Sequence, residues 1–195
     1  MFSVPDKLFY VRELQLKFYF NKNKSVKALF FLEKFLFENY KFQEEIPLTV
    51  LKQKWIYECI HNNDFSAEIT KPLRSLSTDK LKKISLKLIE LFGNIPNIAD
   101  KDNFFKSFKK FNLEFNLVLK IFKKTFNTSL NFQFSLLKYI QKFSSNPTFI
   151  KPIKNKEKEE DFFESVFLKI FSSKRVFKIS KFHYLFNLLK ELIKK

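Results

Sequence analysis

The sequence predicts an all-α fold, on two main observations. Apolar residues recur at intervals of three and four along most of the chain, which is the period of a helix with one buried face. The chain of 195 residues contains one glycine, Gly93. Tight strand turns and phosphate-binding loops both depend on glycine, so sheets and nucleotide-binding loops are disfavoured. A hydrophobic content of 45% supports a real core, and we expect a single helical domain over residues 1–195.

The periodic segments predict the helices in chain order. They cover 26–42, a helix that begins at Pro47, then 81–92, 104–126, 132–143, 162–171 and 182–193. Residues 77–79, Ser-Thr-Asp, are typical of an N-cap, and Gly93 is typical of a helix C-terminus. Residues 144–161 contain two prolines and a charge run, so they are the candidate mobile linker.

The segment 46–72 is the most distinctive part of the chain, because it contains the only Trp and the only Cys. Pro47 is well placed to begin a helix. Five bulky residues then fall on roughly one side of that helix: Leu48, Leu51, Trp55, Tyr57 and Ile60. We expect Leu48, Leu51 and Trp55 to be buried in the core.

The residues that carry a family pattern are Pro47, Leu48, Lys52, Trp55, Glu58, Lys71 and Pro72, with Ala28, Leu29 and Phe30 upstream. In this order and spacing they resemble the squalene/phytoene synthase family, in the divergent branch that includes a mitochondrial complex I assembly factor. Ile56 stands where that branch carries a second Trp, and Lys71 where it often carries His. The resemblance covers residues 15–90 best and implies a reduced isoprenoid-synthase-type bundle, with Phe30 in its core.

The aspartate-rich motifs by which active members of that family hold magnesium are not found. Where the first motif would fall, the chain has Glu33 and Glu38, which are five residues apart and do not share a helix face. Two acidic pairs at a four-residue spacing are Glu157 with Asp161 and Glu160 with Glu164. Both pairs lie in or beside the charged segment, so we expect them on a solvated surface. We therefore expect no catalytic residue, no cofactor and no enzyme, although a retained prenyl synthase with an unaligned acidic site stays an alternative.

Other classes of site find little support in the sequence. His61 and His183 are isolated, and with one Cys they provide no zinc cluster. The lone Cys59 excludes an internal disulfide and fits a reducing compartment such as the cytosol or the mitochondrial matrix. The longest uncharged stretch, residues 125–137, is too short to span a bilayer, and the N-terminus lacks the hydrophobic stretch of a signal peptide. We expect a soluble or peripheral protein.

The chain carries a formal net charge of +17, and all but three of its 37 Lys and Arg residues are Lys. Lys attracts phosphate but lacks the bidentate fork that reads bases, so RNA or anionic lipid fits better than DNA. Coding bias in an AT-rich genome explains the charge equally well. Aromatic residues among the lysines of 106–126 could stack on nucleic acid, although their spacing favours a core. The helix at 182–195 is the best candidate for contact with an anionic membrane surface.

The resemblance and the missing motifs together predict a non-catalytic scaffold related to squalene/phytoene synthases. We expect it in the mitochondrial matrix or at the inner membrane, associated with respiratory complex I as an assembly factor or accessory subunit. Its expected partners are protein subunits of that complex. The alternative is a basic mitochondrial ribosomal or other RNA-binding protein, whose affinity for RNA would fall steeply with salt.

Overall fold

The computed structural model describes residues 8–39, 46–93, 118, 120–126, 162–174 and 179–194. Every regular element in these residues is a helix and no strand occurs among them, which confirms the predicted all-α class. The chain divides into two compact units, residues 1–127 and residues 128–195. The predicted helix at 132–143 and the charged segment at 144–161 lie outside the described residues, and the expectation of a single domain stays a prediction.

The first unit is built around one central helix. Its elements are α1 (Tyr10–Phe18), α2 (Lys24–Asn39), α3 (Ile46–Asn62), a 3-10 helix (Lys71–Leu76), α4 (Asp79–Gly93) and further helical residues at 120–126. The central helix is α2, which packs against α1, α3, α4 and the 3-10 helix. Leu29, Phe30 and Leu32 are buried along it. Burial of such side chains on one helix supplies most of the free energy that holds a small helical unit together.

The predicted start and end of α4 are confirmed. The helix α4 begins at Asp79, inside the predicted Ser-Thr-Asp start, and ends at Gly93. Pro72 lies in the first turn of the 3-10 helix, where its missing N–H costs no hydrogen bond. Phe30 is completely buried, as predicted for the core.

The helix α1 is an element that the apolar period did not predict. Its buried side chains are Val11, Arg12, Gln15 and Leu16. Two of these four are polar, so the buried face does not read as an apolar stripe. After α1 the chain turns through Asn21 and Lys22, both with positive φ, and the Asn23 side chain then accepts hydrogen bonds from two backbone N–H groups at the start of α2.

The prediction that Leu48 and Leu51 belong to the core is wrong, because both side chains are exposed. The helix α3 buries the face that carries Thr49, Gln53, Ile56 and Ile60, and of these only Ile60 was on the predicted side. These residues recur every three or four positions and meet α4 and α2. Trp55 is half-buried at the border between the two faces.

A cluster of aromatic rings packs against α2 in the core of the first unit. The ring of Phe20 packs edge-on against Phe30, Phe122 and Phe126, with centroids 6.1, 6.0 and 6.3 Å away. Such edge-to-face contacts are a favoured geometry for aromatic pairs. Phe122 is buried, so in this part of 106–126 the aromatic residues serve the core rather than a surface that could stack on bases.

The second unit contains α5 (Phe162–Lys174) and α6 (Lys181–Ile193), which pack against each other. The buried Tyr184 hydroxyl donates to the Phe163 carbonyl oxygen at 2.8 Å, and its ring contacts Phe167. Ser180 caps the start of α6 by accepting from the His183 backbone N–H. These contacts fix which face of α6 is turned inward.

Candidate interaction surface

The orientation of α3 is set by polar contacts with the end of α2. The Thr49 hydroxyl donates to the Asn39 carbonyl oxygen at 3.2 Å, and the Lys52 ammonium lies 3.5 Å from the Asn39 side-chain oxygen. The last carbonyl groups of a helix lack partners inside it, so a hydroxyl from the next helix satisfies one of them. With Thr49 turned toward α2, its neighbours Leu48 and Val50 are turned outward.

The result is an apolar surface on the outside of α3. Leu48, Leu51 and Trp55, spaced three and four residues apart, form what we name the α3 surface. Leu51 is 62% exposed and Leu48 is 46% exposed. Trp55 is half-buried, so only part of its side chain is accessible at this surface. Side chains at this spacing are the anchors that helices insert into the grooves of protein partners.

Charged groups of both signs border the α3 surface. Glu58 is exposed and pairs with Lys54 at 4.0 Å, one turn along the helix. Lys52 is half-buried and points its ammonium toward the end of α2. The α3 surface therefore combines an aromatic side chain and two leucines with charges of both signs at its border.

The residues of the family pattern lie on separate elements of the structure. It brings Leu48, Lys52, Trp55 and Glu58 together on one helix, whereas Pro72 lies on a separate element and is exposed. The side chains of Pro47 and Glu58 are also exposed. None of Pro47, Leu48, Lys52, Trp55, Glu58 and Pro72 is fully buried, so the prediction that these six residues form core is wrong. For those on α3, the physical reason is the orientation that the Thr49 contact gives the helix.

A second polar arrangement, in the core, was not predicted as a site. The guanidinium of Arg12 donates to both carboxylate oxygens of Glu33, at 2.9 and 3.0 Å, and to the Gln15 side-chain oxygen at 2.7 Å. It also lies over the Phe30 ring, 5.0 Å from the centroid. Arg12 and Glu33 are at most 1% exposed. The bidentate geometry is specific to Arg, and an Arg retained in a lysine-rich chain was the signal in the sequence.

Glu33 is thus committed to a structural ion pair. Glu38, the other acid in the segment where the first aspartate-rich motif would fall, pairs with Lys34 at 3.4 Å. Among the described residues, no group of three or more His, Cys, Asp or Glu side chains could hold a metal ion. These two glutamates therefore have cationic partners of their own.

Glu164 does not lie on a solvated surface, so that prediction is wrong for this residue. Its side chain is 1% exposed, beside the buried Phe163 and Phe167 on α5. The helix begins at Phe162, which places Glu164 in its first turn, where the helix dipole favours a negative charge. The other three acids of those pairs, Glu157, Glu160 and Asp161, lie outside the described residues.

The remaining candidates have ordinary surroundings. His61 is exposed, stacks on Tyr57 and lies 3.1 Å from the Asn62 side-chain oxygen. Cys59 is free and buried. Burial, with help from the carboxylates of Asp64 and Glu58, raises the pKa of the Cys59 thiol.

Comparison with known proteins adds no relative. No family model, curated protein or solved structure matches the chain. Within the part of the chain that the structure describes, no helix has both the length and the apolar character needed to cross a membrane.

Proposed function

We propose that the chain is a non-enzymatic helical scaffold that binds a protein partner through the α3 surface. The observation that carries the proposal is the reversed placement of side chains on α3. Leu48 and Leu51 are exposed, whereas Thr49 and Gln53 on the same helix are buried. Burying an apolar side chain of this size stabilises a protein by about 1.5 to 3 kcal/mol, so the present arrangement forgoes stability that a partner could restore.

The chemistry of the α3 surface supports a partner with an apolar groove and an acidic rim. Its three anchors call for an apolar groove or patch, because such a groove would remove them from water together. Lys52 and Lys54 border the anchors on a chain of net charge +17, so an acidic rim on the partner would be complementary. Glu58, beside Lys54, is the single acid within α3 and supplies a negative group that would fix the register.

The finer proposal is that the partner belongs to mitochondrial respiratory complex I. It is supported by the order and spacing of Pro47, Lys52, Trp55 and Pro72, which resemble the divergent branch of squalene/phytoene synthases that includes a complex I assembly factor. In that branch the protein would act as an assembly factor or accessory subunit in the matrix or at the inner membrane.

The core ion pair supports the view that the chain has no synthase chemistry. Glu33 lies where the first aspartate-rich motif would fall, and both of its oxygens accept from Arg12. A magnesium ion could take these oxygens only by displacing the guanidinium, which would leave a buried cation without its partner. Turnover of a prenyl diphosphate with magnesium would contradict the proposal.

RNA binding is the second candidate function, favoured by the net charge of +17. The two functions separate in one experiment on gentle detergent extracts of the native source, fractionated by size with and without ribonuclease. The scaffold account predicts that the chain travels with complex I subunits in both extracts. Co-migration with ribosomal proteins in a particle that ribonuclease disrupts would contradict the scaffold function and support RNA binding.

A further inference from the structure

We propose that the outer face of α6 docks the chain onto an anionic lipid surface. The face consists of Phe182, Phe186, Leu189 and Ile193, which we name the α6 stripe. These side chains are spaced four, three and four residues apart, so they fall on one side of the helix. All four are more than half exposed. The inference uses the second unit alone and does not rest on the proposed function.

The α6 stripe is held outward by contacts on the opposite side of the helix. Tyr184 and Leu188 are buried, and the Tyr184 hydroxyl donates to the Phe163 carbonyl oxygen. The Lys169 ammonium also contacts the Glu191 carboxylate at 2.8 Å, which joins α5 to α6. A helix fixed in this way presents four apolar side chains in one plane before any lipid is met, so little ordering is needed on binding.

The charges on α6 are complementary to an anionic lipid headgroup. Lys181, Lys190 and Lys194 are exposed on the same helix. Its single acid, Glu191, is already neutralised by Lys169 and Lys194, and hydrogen bonding from Lys169 holds its pKa below the usual range. Lysines beside an apolar stripe would meet lipid phosphates and carboxylates, whereas a second copy of the helix would bring like charges together.

The length of α6 determines how it would lie. Its 13 residues rise by about 20 Å, short of the roughly 30 Å hydrocarbon core of a bilayer. An amphipathic helix of this kind lies along the interface, with its apolar side chains in the acyl boundary and its lysines at the headgroups. The α3 surface differs, because Glu58 borders it and an anionic lipid would repel that carboxylate.

The first test is flotation of the full-length chain with vesicles of phosphatidylserine and phosphatidylcholine in equal parts, against vesicles of phosphatidylcholine alone. We expect binding to the mixed vesicles, weakened by salt, because headgroup charges are screened. Phe186→Ser should lower the vesicle partition coefficient by about tenfold or more, because it removes one ring that would enter the acyl boundary of the membrane. Phe18→Ser is the matched control, because Phe18 and Phe186 are each 61% exposed.

A second pair of variants tests the charge. Lys190→Glu on α6 should weaken binding several-fold, while Lys83→Glu, an equally large charge change on α4, should have a clearly smaller effect. Equal losses within each pair, or no preference for the anionic vesicles, would overturn the inference. So would a lipid-free dimer that Phe186→Ser dissociates, because the α6 stripe would then be a contact between two copies of the chain.

Discussion

The guanidinium of Arg12 and the carboxylate of Glu33 form a buried, bidentate ion pair that joins α1 to α2, with donor-to-acceptor distances of 2.9 and 3.0 Å. Gln15 completes the network at 2.7 Å. The pair fixes the rotation of α1 against the central helix. Some of the α1 side chains that face α2 are therefore polar. For this reason the period of apolar residues did not predict α1.

Removal of one partner of this pair should destabilise the chain strongly. Arg12→Met leaves the Glu33 carboxylate buried without its cation, and we expect the free energy of unfolding to fall by about 3 to 5 kcal/mol. The double variant Arg12→Met/Glu33→Met should recover much of that loss, since no lone charge is then buried. Urea unfolding gives both values. As a control, Lys54→Met breaks an exposed pair and should cost no more than about 1 kcal/mol.

The two faces of α3 should respond oppositely to truncation. Ile56 is completely buried, so Ile56→Ala should lower the free energy of unfolding by about 2 to 5 kcal/mol. Leu51→Ala removes an exposed side chain from the same helix and should change it by less than about 0.5 kcal/mol. Urea unfolding of the two variants side by side checks the reversed orientation. A larger loss for Leu51→Ala would restore the original expectation that Leu51 is core.

Gln53 should be replaceable by an apolar residue with a gain in stability. Its side-chain nitrogen is buried and has no hydrogen-bond partner within the described residues. We expect Gln53→Met to raise the free energy of unfolding by about 1 kcal/mol, because the cost of an unsatisfied polar group disappears. Gln15→Met is the matched control and should destabilise, since Arg12 then loses an acceptor. A destabilised Gln53→Met variant would mean that the amide makes a hydrogen bond essential to α3.

The Lys169 and Glu191 pair should contribute stability in a pH-dependent way. The pKa of Glu191 is lowered from its ordinary value of 4.5, chiefly by the hydrogen bond from Lys169. A lowered pKa in the folded state means that the contribution is present above pH 4.5 and is lost as the pH falls through the folded-state pKa.

Glu191→Gln should therefore be less stable than the wild type at neutral pH, and the difference should vanish in acid. Urea midpoints measured across that range give the comparison. Lys169→Met should remove most of the same pH dependence. A difference between wild type and Glu191→Gln that stays constant from neutral to acid pH would contradict the assignment.

The fold class and most helix boundaries could be predicted from the sequence because helix period, prolines and caps are local properties. The beginning of α4 at Asp79 and its end at Gly93 are examples. The faces of the helices could not be predicted where polar residues are buried. Thr49 faces inward because the end of α2 needs a donor at Asn39, and this partner is ten residues away in the sequence. Arg12 and Glu33 are 21 residues apart, so their pairing is likewise a tertiary property.

The sequence drew attention to the segment 46–72, but it did not predict which side of α3 is exposed. The unusual composition of 46–72 singled out Leu48, Leu51 and Trp55, and the apolar period assigned them to a core. A helix with apolar residues on more than one side leaves the choice of buried face to its neighbours. Here the neighbours select the face of Ile56 and Ile60, so the remaining apolar residues form the α3 surface.

The role of the α3 surface in binding is tested by capture of a tagged full-length chain from the native source in gentle detergent, with complex I subunits quantified by mass spectrometry. Leu51→Lys places a charge in the α3 surface, and Phe18→Lys does the same at an equally exposed site on α1. The account predicts that the wild type and Phe18→Lys retain the same subunits, and that Leu51→Lys loses most of them while remaining folded. Equal retention by Leu51→Lys and Phe18→Lys would contradict the assignment of the α3 surface as the binding site.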